Sequence, residues 1–349
     1  MRIREFQQLL RSRNIPVALF LNTGFAKQDP TIHYFTGVQT EYGILAVFAR
    51  KNPVLYVPLF EVARFRSKSI VAVKPLQGFQ QTLMRVVAKS RRVGINATLL
   101  SLAERKLIKK PVVDVSKHII QLRAVKTKRE ILYLQKSADA SVKILQATIN
   151  RWKEFQTEHD VYQSLLLETM RNGLEPSFSP IVASGTHAAK PHHEPTHKKI
   201  RKGFCVLDFG VKYKGYCSDI TRTIYVGTPS KKEKEMYTLV LHSQAAGIHA
   251  VRSGVACKEL YVVAANELRN MRCFFTHGLG HGIGVEIHEA PNVGMTSKEK
   301  LKEGMTITIE PGIYPRIFGI RIEDDVLVTK NGSRILTRMR KDLVCVPKH

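Results

Sequence analysis

The chain has 349 residues, of which 44% are hydrophobic, and a formal net charge of +26. This length and composition predict two domains with sizeable cores. No apolar stretch approaches the roughly 20 residues of a membrane span, and the N-terminus lacks a signal-peptide core, so we expect a cytoplasmic protein. The five cysteines have no CxxC spacing, and we interpret Cys205 and Cys217 as small core hydrophobes.

The positive charge is spread along the chain. Residues 1–125 contain 21 Lys and Arg against 6 Asp and Glu, and residues 126–349 contain 34 against 23. A charge of this size permits nonspecific attraction to nucleic acid, but no helix-turn-helix, zinc-finger or RNA-binding signature accompanies it. We therefore expect nucleic acid only as a nonspecific partner.

The first 120 residues alternate short apolar runs with helix-like stretches. The runs at 17–21, 43–48 and 53–57 predict strands, and residues 5–13 and 80–89 predict helices. This alternation is typical of an α/β domain. A boundary near residues 120–127 gives an N-terminal domain over 1–122 and a second domain over 123–349.

The second domain begins with helices and continues with strands. Apolar residues at helical spacing predict a long helix from Lys128 to about Trp152, and further helices are predicted over 158–172 and 231–253. Helices that alternate with hairpins predict an α+β domain.

The first hairpin carries two aspartates. Residues 204–225 read as two strands rich in β-branched and aromatic residues around a turn near Tyr213 and Lys214. If Lys212 and Gly215 flank a two-residue loop, Asp208 and Asp219 face each other directly. Opposed side chains lie roughly 4.5–5.5 Å apart at Cβ, and two carboxylates at that distance repel unless a cation lies between them.

A second hairpin repeats the arrangement with two glutamates. Pairing Tyr314 with Gly319 places Glu310 opposite Glu323. Pro311 weakens this register because proline cannot donate to the ladder. Arg321 lies two residues before Glu323, on the same face of an ideal strand, where it is expected to orient that carboxylate.

Between the hairpins lies a segment with three histidines, His277, His281 and His288. Glycines at 278, 280, 282 and 284 make a helix costly, at about 1 kcal/mol each relative to alanine. We therefore interpret the segment as an extended strand or loop whose glycines permit close approach of a ligand or a neighbouring strand.

Four carboxylates and one imidazole thus recur in a fixed order: Asp208, Asp219, His281, Glu310 and Glu323. Each acidic residue alone is more simply explained as part of a solvated face. Together, an oxygen-rich set with one nitrogen suits a pair of divalent cations better than one structural zinc, and indicates metal-assisted hydrolysis.

The motifs DFG (208–210), SDITRT (218–223), HGLGHGIG (277–284), IEPGIY (309–314) and GIRIEDD (319–325) resemble those of the pita-bread metallopeptidases, in their proline-specific branch of Xaa-Pro dipeptidase and aminopeptidase P. Residues 122–130 also match the entry to that family's catalytic domain. The resemblance implies an α/β N-terminal domain followed by an α+β pita-bread catalytic domain. It also implies hydrolysis of the bond before proline in Xaa-Pro dipeptides, or in peptides with proline at the second position, and a homodimer.

The resemblance also implies roles for individual residues. Asp208 would bind one metal ion, Asp219 and Glu323 would bridge two, and His281 and Glu310 would hold the other. Manganese or cobalt is expected, although zinc and iron accept the same ligands. Glu310 would transfer a proton to the leaving proline nitrogen. His192, His277 and His288 would line the substrate site, and the adjacent His193 leaves the first of these open by one residue.

Several alternatives remain open at this point. A basic N-terminal domain is compatible with recognition of a dipeptide carboxylate and favours the dipeptidase over aminopeptidase P. Methionine aminopeptidases typically lack such a domain, and creatinase works without metals. Some pita-bread proteins are non-catalytic modules that bind nucleic acid, histones or other proteins, but those lack the intact ligand set.

Overall fold

The computed structural model describes residues 2–24 and 28–348. The chain forms two compact units, Met1–Leu122 and Arg123–His349. None of the helices in the described ranges combines the length and the apolar character that a membrane span requires.

The first unit is built around a six-stranded mixed sheet. Its elements are α1 (Arg2–Ser12), β1 (Val17–Thr23), α2 (Pro30–Thr36), β2 (Tyr42–Phe48), β3 (Val54–Val57), α3 (Leu59–Arg66), β4 (Ala72–Pro75), α4 (Phe79–Val87), β5 (Val93–Ile95), α5 (Leu102–Leu107), β6 (Val112–Asp114) and α6 (Ser116–Ala124). The sheet order is β4-β3-β2-β1-β5-β6. Strands β1, β2 and β3 pair antiparallel, and the outer pairs are parallel. The predicted α/β pattern and its three strands are confirmed.

Both faces of this sheet are covered. One face packs on a cluster that includes Phe6, Phe20 and Phe35, and the other packs on a cluster that includes Leu83 and Val87 of α4. Strands β1 and β2 are buried almost throughout, which explains why they appear in the sequence as continuous apolar runs.

The second unit begins with two helices and continues with short strands. Its first elements are α7 (Lys128–Asn150), α8 (Glu158–Arg171), β7 (Glu175–Pro176), β8 (Ile181–Ser184), β9 (Gly203–Phe209), β10 (Val211–Tyr213), β11 (Tyr216–Cys217), β12 (Ile220–Val226), α9 (Lys231–Ala250) and α10 (Cys257–Glu267). They are followed by β13 (Gly280–Gly282), β14 (Glu289–Val293), β15 (Thr306–Ile309), β16 (Gly312–Ile313), β17 (Ile320–Arg321), β18 (Asp324–Val328), β19 (Ser333–Ile335) and β20 (Cys345–Val346).

Capping boxes fix the starts of the helices that the sequence predicts here. At α7, the Thr127 hydroxyl accepts from the Glu130 N–H while the Glu130 carboxylate accepts from the Thr127 N–H, and the same device begins α8 and α9. All three helices begin at the predicted residues. The ends at Asn150, Arg171 and Ala250 lie one to three residues before the predicted ends, within the range over which helix termini fray.

Two sheets bring the candidate ligands to their strand ends. One has the order β20-β12-β9-β8 and the other β14-β13-β15-β18-β19. The segment 321–323, which leads from β17 into β18, is held to β12: the Glu323 N–H donates to the Thr221 carbonyl at 3.1 Å and the Arg321 N–H donates to the Thr223 hydroxyl at 3.0 Å. Strand ends from different sheets therefore converge at one place.

The predicted register of the first hairpin is wrong, because the two-residue turn lies one residue later in the chain than predicted. Lys214 and Gly215 both have positive φ, +50° and +79°, and form the turn. A two-residue turn with both central residues at positive φ matches strand twist, so Gly215 belongs inside the loop. Asp208 consequently pairs with Thr221, and Asp219 lies just outside β12.

The predicted register of the second hairpin is confirmed. Ile309 pairs with Asp324, and Gly312 pairs with Arg321, which is the alignment that places Glu310 opposite Glu323. The two glutamates lie in the break between the two ladders, where Pro311 interrupts the pairing as expected.

The extended interpretation of the histidine segment is also confirmed. His281 is the central residue of β13, and a Cβ added to Gly280 would lie 2.0 Å from the Thr308 carbonyl oxygen. Glycine is therefore required there by close approach of β15.

We predict that Gly280→Ala lowers the free energy of unfolding by about 1–3 kcal/mol or more, because β13 must move away from β15. Gly332→Ala is the matched control, since nothing lies closer than 4.0 Å to its added Cβ and its backbone is ordinary. Urea unfolding of both variants tests the prediction. Equal stability of the two variants would contradict the close packing of β13.

Candidate active site

All nine residues that the sequence marks as candidates line one cavity of the second unit. Its volume is about 970 Å³. Besides the five candidate metal ligands, it is lined by His192, His277, His288 and Arg321. Asp208 lies near the end of β9, His281 lies within β13 and Glu310 directly follows β15, which explains how residues far apart in sequence meet.

The imidazole of His281 lies among the carboxylates. Its Nε2 is 3.4 Å from Glu310 Oε1 and 3.7 Å from Asp219 Oδ2. One ligand atom each of Asp219, His281 and Glu323 lie within 4.8 Å of one another. The Nδ1 atom of His281 is 3.0 Å from the Gly282 carbonyl, and donation there leaves Nε2 free to act as a ligand.

Buried carboxylate oxygens in this cluster lack hydrogen-bond donors. Within the described part of the chain, Asp208 Oδ1, Asp219 Oδ1, Glu323 Oε1 and Asp325 Oδ1 have no partner. An unsatisfied buried acceptor costs about 1–3 kcal/mol, and more when charged. Three of the four oxygens belong to candidate ligands. Hard divalent cations bind carboxylate oxygens, so this donor set fits such ions.

Electrostatics in the cluster favour neutral carboxyls. Burial, followed by repulsion from neighbouring carboxylates, raises the pKa values of Asp219 and Glu323 well above their usual range. Burial likewise raises the pKa of Glu310 to about 7. The carboxyls cannot all ionise at neutral pH without a compensating positive charge.

Arg321 supplies part of that charge. Its Nη2 donates to Asp208 Oδ2 at 2.5 Å and its Nη1 to the Tyr314 hydroxyl at 2.8 Å. The side chain extends across to β9. The link to Glu323 is indirect: Arg321 Nε donates to the Thr221 hydroxyl, which donates to Glu323 Oε2 at 2.5 Å.

His277 and His288 are neutral imidazoles at the wall of the cavity. Burial, with the Arg321 charge second, lowers the pKa of His277 to about 4, and its Nε2 lies 3.1 Å from the Tyr314 hydroxyl. Burial, followed by the nearby His281, lowers the pKa of His288, whose ring centroid is 4.3 Å from that of His281. Neither ring belongs to the cluster of three ligand atoms around His281.

Behind His288, a buried ion-pair network fixes the start of β14. Glu289 accepts from Arg123 Nη2 at 2.6 Å and from Lys126 Nζ at 3.2 Å. Burial alone would raise the pKa of Glu289, but the two cations lower it overall. Sequence reasoning missed this role, although Arg123 and Lys126 lie within the matching segment 122–130 and Glu289 directly follows His288.

A second buried carboxylate distinguishes the surroundings of His192 and His193. His193 Nε2 lies 2.9 Å from Glu158 Oε2 and His187 Nδ1 lies 2.9 Å from Glu158 Oε1. Both histidines line the cavity, but His193 is buried against Glu158 whereas His192 is exposed.

Glu158 was also missed by sequence reasoning. It is fully buried in the first turn of α8, and besides the two histidines it accepts from the backbone N–H and hydroxyl of both Ser184 and Thr196. One carboxylate thus ties both ends of the segment 184–196 that carries His192. The only signal in the sequence is its position directly after Thr157, the N-cap of α8.

Comparison with known proteins agrees with this arrangement. The model of metallopeptidase family M24 matches residues 133–330, and that of the creatinase/prolidase N-terminal domain matches residues 2–125. A protein named Xaa-Pro dipeptidase from Pyrococcus furiosus is 36% identical over 329 residues, which is 92% of this chain and 94% of that protein. The chain belongs to metallopeptidase family M24.

Solved structures of M24 relatives share the whole fold. A prolidase from Pyrococcus horikoshii has a TM-score of 0.91 at 32% identity, over 98% of this chain and 99% of that one. An X-Pro aminopeptidase from Thermotoga maritima has a TM-score of 0.88 at 29% identity, over 96% and 99%. The pita-bread fold that the motifs predicted is therefore confirmed, and as an M24 metallopeptidase the chain is a metal-dependent hydrolase.

We predict that Glu158→Gln loosens the segment 184–196, because an amide cannot accept all the hydrogen bonds that the carboxylate accepts. Amide hydrogen exchange there should lose protection worth about 1–3 kcal/mol. Glu168→Gln is the control. Glu168 lies on the same helix, and its carboxylate pairs with Arg151 and Arg171 outside the segment 184–196. Unchanged exchange in Glu158→Gln would show that Glu158 does not hold the segment.

Proposed function

We propose that the chain is an Xaa-Pro dipeptidase that uses two divalent metal ions. The observation that carries the proposal is the convergence of Asp208, Asp219, His281, Glu310 and Glu323 in one cavity, with buried carboxylate oxygens that lack donors. The relatives named Xaa-Pro dipeptidase, at 34% and 36% identity over more than 90% of the chain, support the choice of substrate.

The pattern of the family motifs assigns the five side chains to two ions. Asp208 would bind one ion through Oδ1, because its Oδ2 already accepts from Arg321. Asp219 and Glu323 would bridge, and His281 and Glu310 would hold the second ion. When bound, such ions polarise the scissile carbonyl and lower the pKa of water. Manganese and cobalt suit this oxygen-rich set, and zinc or iron would also fit.

Glu310 is suited to carry a proton. Following the pattern of the family motifs, its carboxylate would accept a proton from the attacking water and release it to the leaving proline nitrogen. The Thr308 hydroxyl donates to Glu310 Oε1 at 3.0 Å and holds the carboxylate in one orientation.

The remaining candidate residues would bind substrate. Neutral His288 can donate a hydrogen bond to the peptide carbonyl, where negative charge develops during attack. His277 and His192 line the same cavity, and Arg321 with Tyr314 positions Asp208 and His277. These are positioning and substrate-binding roles.

The alternative substrate class is a longer peptide. The Thermotoga maritima relative is named an X-Pro aminopeptidase, so proteins named prolidase and proteins named aminopeptidase share this fold. The non-catalytic alternative has no support, because every candidate ligand is present and the named relatives are peptidases.

Release of alanine from Ala-Pro and from Ala-Pro-Ala, with added manganese or cobalt, tests this proposal. We predict chelator-sensitive cleavage of Ala-Pro and no cleavage of the control dipeptide Ala-Ala. Cleavage of Ala-Pro-Ala would indicate aminopeptidase activity instead. Absence of chelator-sensitive cleavage of either proline peptide would contradict the proposal.

Variants separate metal ligands from substrate contacts. We predict that Asp219→Asn and Glu323→Gln abolish metal-dependent hydrolysis, whereas His288→Ala lowers kcat by roughly 10²–10³-fold with metal content unchanged. Asp139→Asn, on the exposed face of α7, is the control. Near-normal turnover in either ligand variant, or loss of metal from His288→Ala, would overturn the assignments.

We also propose a homodimer. Adjacent apolar side chains at the start of α3, Leu59 and Phe60, are 74% and 85% exposed in the single chain. Contiguous exposed apolar groups of this kind mark protein contacts. Sedimentation should give a dimer for the wild type and a monomer for the double variant Leu59→Ser and Phe60→Ser. A monomeric wild type at micromolar concentration would contradict the proposal.

A further inference from the structure

A second large cavity lies entirely within residues 1–122. Its volume is about 840 Å³, and it is bounded by the end of α1, the β2–β3 turn, the end of β4 and the end of α4. Because none of its lining residues belongs to the peptidase cavity, it is independent of the function proposed above.

The lining of this cavity is strongly basic. It includes six cationic side chains: Arg11, Arg50, Lys51, Lys74, Arg85 and Lys89. Residues 1–122 contain 20 Lys and Arg and six Asp and Glu, yet no acidic residue is among those that line the cavity in the described part of the unit. Like charges gathered in a concave site focus a positive potential that attracts anions.

Two of the six cations have structural explanations. Arg11 donates to the Ala49 carbonyl at 2.7 Å and Arg85 donates to Gln77 Oε1 at 2.6 Å. Both also lie in the last turns of helices, where positive charge offsets the roughly half-unit negative charge of the helix end. This effect could not account for all six charges.

The other four cations are uncompensated. The side chains of Arg50, Lys51, Lys74 and Lys89 form no hydrogen bond or ion pair with any residue that the structure describes. They approach one cavity from the β2–β3 turn, the strand β4 and the segment after α4. Separate elements therefore deliver unpaired positive charge to one place.

A buried tyrosine gives the cavity a neutral polar group. Tyr56 is only 8% exposed and lines the cavity, and its hydroxyl has no hydrogen-bond partner in residues 2–24 and 28–348. Tyr56 and Lys74 are register partners on neighbouring parallel strands, so their side chains share one face of the sheet. A hydroxyl donor beside a cation suits an anionic oxygen.

The size and the remaining walls of the cavity limit its ligand. Small-molecule sites typically span about 300–1,000 Å³, which includes this volume. Apolar side chains, among them Ile15, Phe48 and Val86, line the cavity together with the cations. A compact polyanion with a partly apolar body would match both surfaces.

We propose that this basic cavity binds a small molecule with two or more phosphoryl groups, either a nucleoside triphosphate or a short inorganic polyphosphate. The lysines and Arg50 would neutralise the phosphoryl oxygens, and the Tyr56 hydroxyl would donate to one of them. If the ligand is a nucleotide, its base would lie against the apolar wall.

Calorimetric titration of the full-length chain with ATP and with tripolyphosphate, both saturated with magnesium, tests the proposal. We expect one saturable site per chain. Lys51→Gln with Lys74→Gln should weaken binding about tenfold or more, because two charge-assisted contacts are lost. Lys106→Gln with Lys109→Gln, an equal loss of exposed charge in the same unit, should change the affinity by less than about twofold.

Tyr56→Phe distinguishes a built site from general charge attraction, because it leaves the net charge unchanged. We expect binding to weaken roughly three- to tenfold. Equal affinities for ATP and tripolyphosphate would identify the phosphate chain as the group that is bound. Tighter binding of ATP would identify the ligand as a nucleotide. Both results support an anion-binding site in this cavity.

Three results would overturn the proposal. These are the absence of saturable binding, equal weakening in the cavity and control variants, and tight binding of a single-stranded oligonucleotide that tripolyphosphate does not displace. Unchanged unfolding curves for all variants would show that the lost affinity does not reflect a damaged fold.

Discussion

Mutual repulsion among buried carboxylates is the constraint on which the catalytic unit depends. Asp208, Asp219, Glu310 and Glu323 enclose a small volume, and the Asp325 carboxylate lies beside it and accepts from the Asp219 N–H. Arg321 offers only one formal positive charge to this group. The fold therefore holds together an arrangement that becomes favourable when cations enter, as expected for a member of metallopeptidase family M24.

The scaffold around the cluster resists that repulsion. Glycines let β13 lie directly against β15, so that His281 and Glu310 are delivered by neighbouring strands. Buried Arg222 donates to Asp324 at 2.8 Å and to the Glu323 carbonyl at 2.6 Å, which anchors the start of β18. Breaking such a buried pair typically costs about 3–5 kcal/mol, so a rigid framework holds the candidate ligands in place.

The residues that the sequence marks as candidates line one cavity, and their spacings were recognisable because chemistry that needs several carboxylates repeats them along the chain. The register of the second hairpin followed from its short loop. The register predicted for the first hairpin was wrong because Lys214 takes a positive φ. Such a backbone conformation is uncommon for a residue other than glycine and is not signalled by composition. Asp208 and Asp219 nonetheless meet at one cavity, because β9 ends and β12 begins at the same edge.

Other features depended on long-range contacts that no local pattern encodes. Arg321 was expected to orient Glu323, which it reaches only through Thr221, but its pairing with Asp208 on another sheet was not predicted. Glu158 reads in sequence as an ordinary first-turn glutamate, yet it organises a segment about 30 residues away. The different surroundings of His192 and His193 became visible only once that carboxylate was located. The basic cavity of the first unit likewise comes from four separate elements.

The most direct test of carboxylate repulsion is the unfolding temperature of the chelator-treated protein as a function of pH. Folded pKa values above the unfolded values of about 4 mean that stability is present at low pH and lost as pH rises through the folded values, including about 7 for Glu310. The unfolding temperature of the wild type should therefore fall between pH 5 and 8 relative to that of the double variant Glu310→Gln and Glu323→Gln. Each pKa unit by which folding raises a carboxyl corresponds to a loss of about 1.4 kcal/mol in the free energy of unfolding. Manganese should restore it at pH 8 in the wild type alone. A wild-type profile parallel to that of the variant, with no response to manganese, would contradict the account.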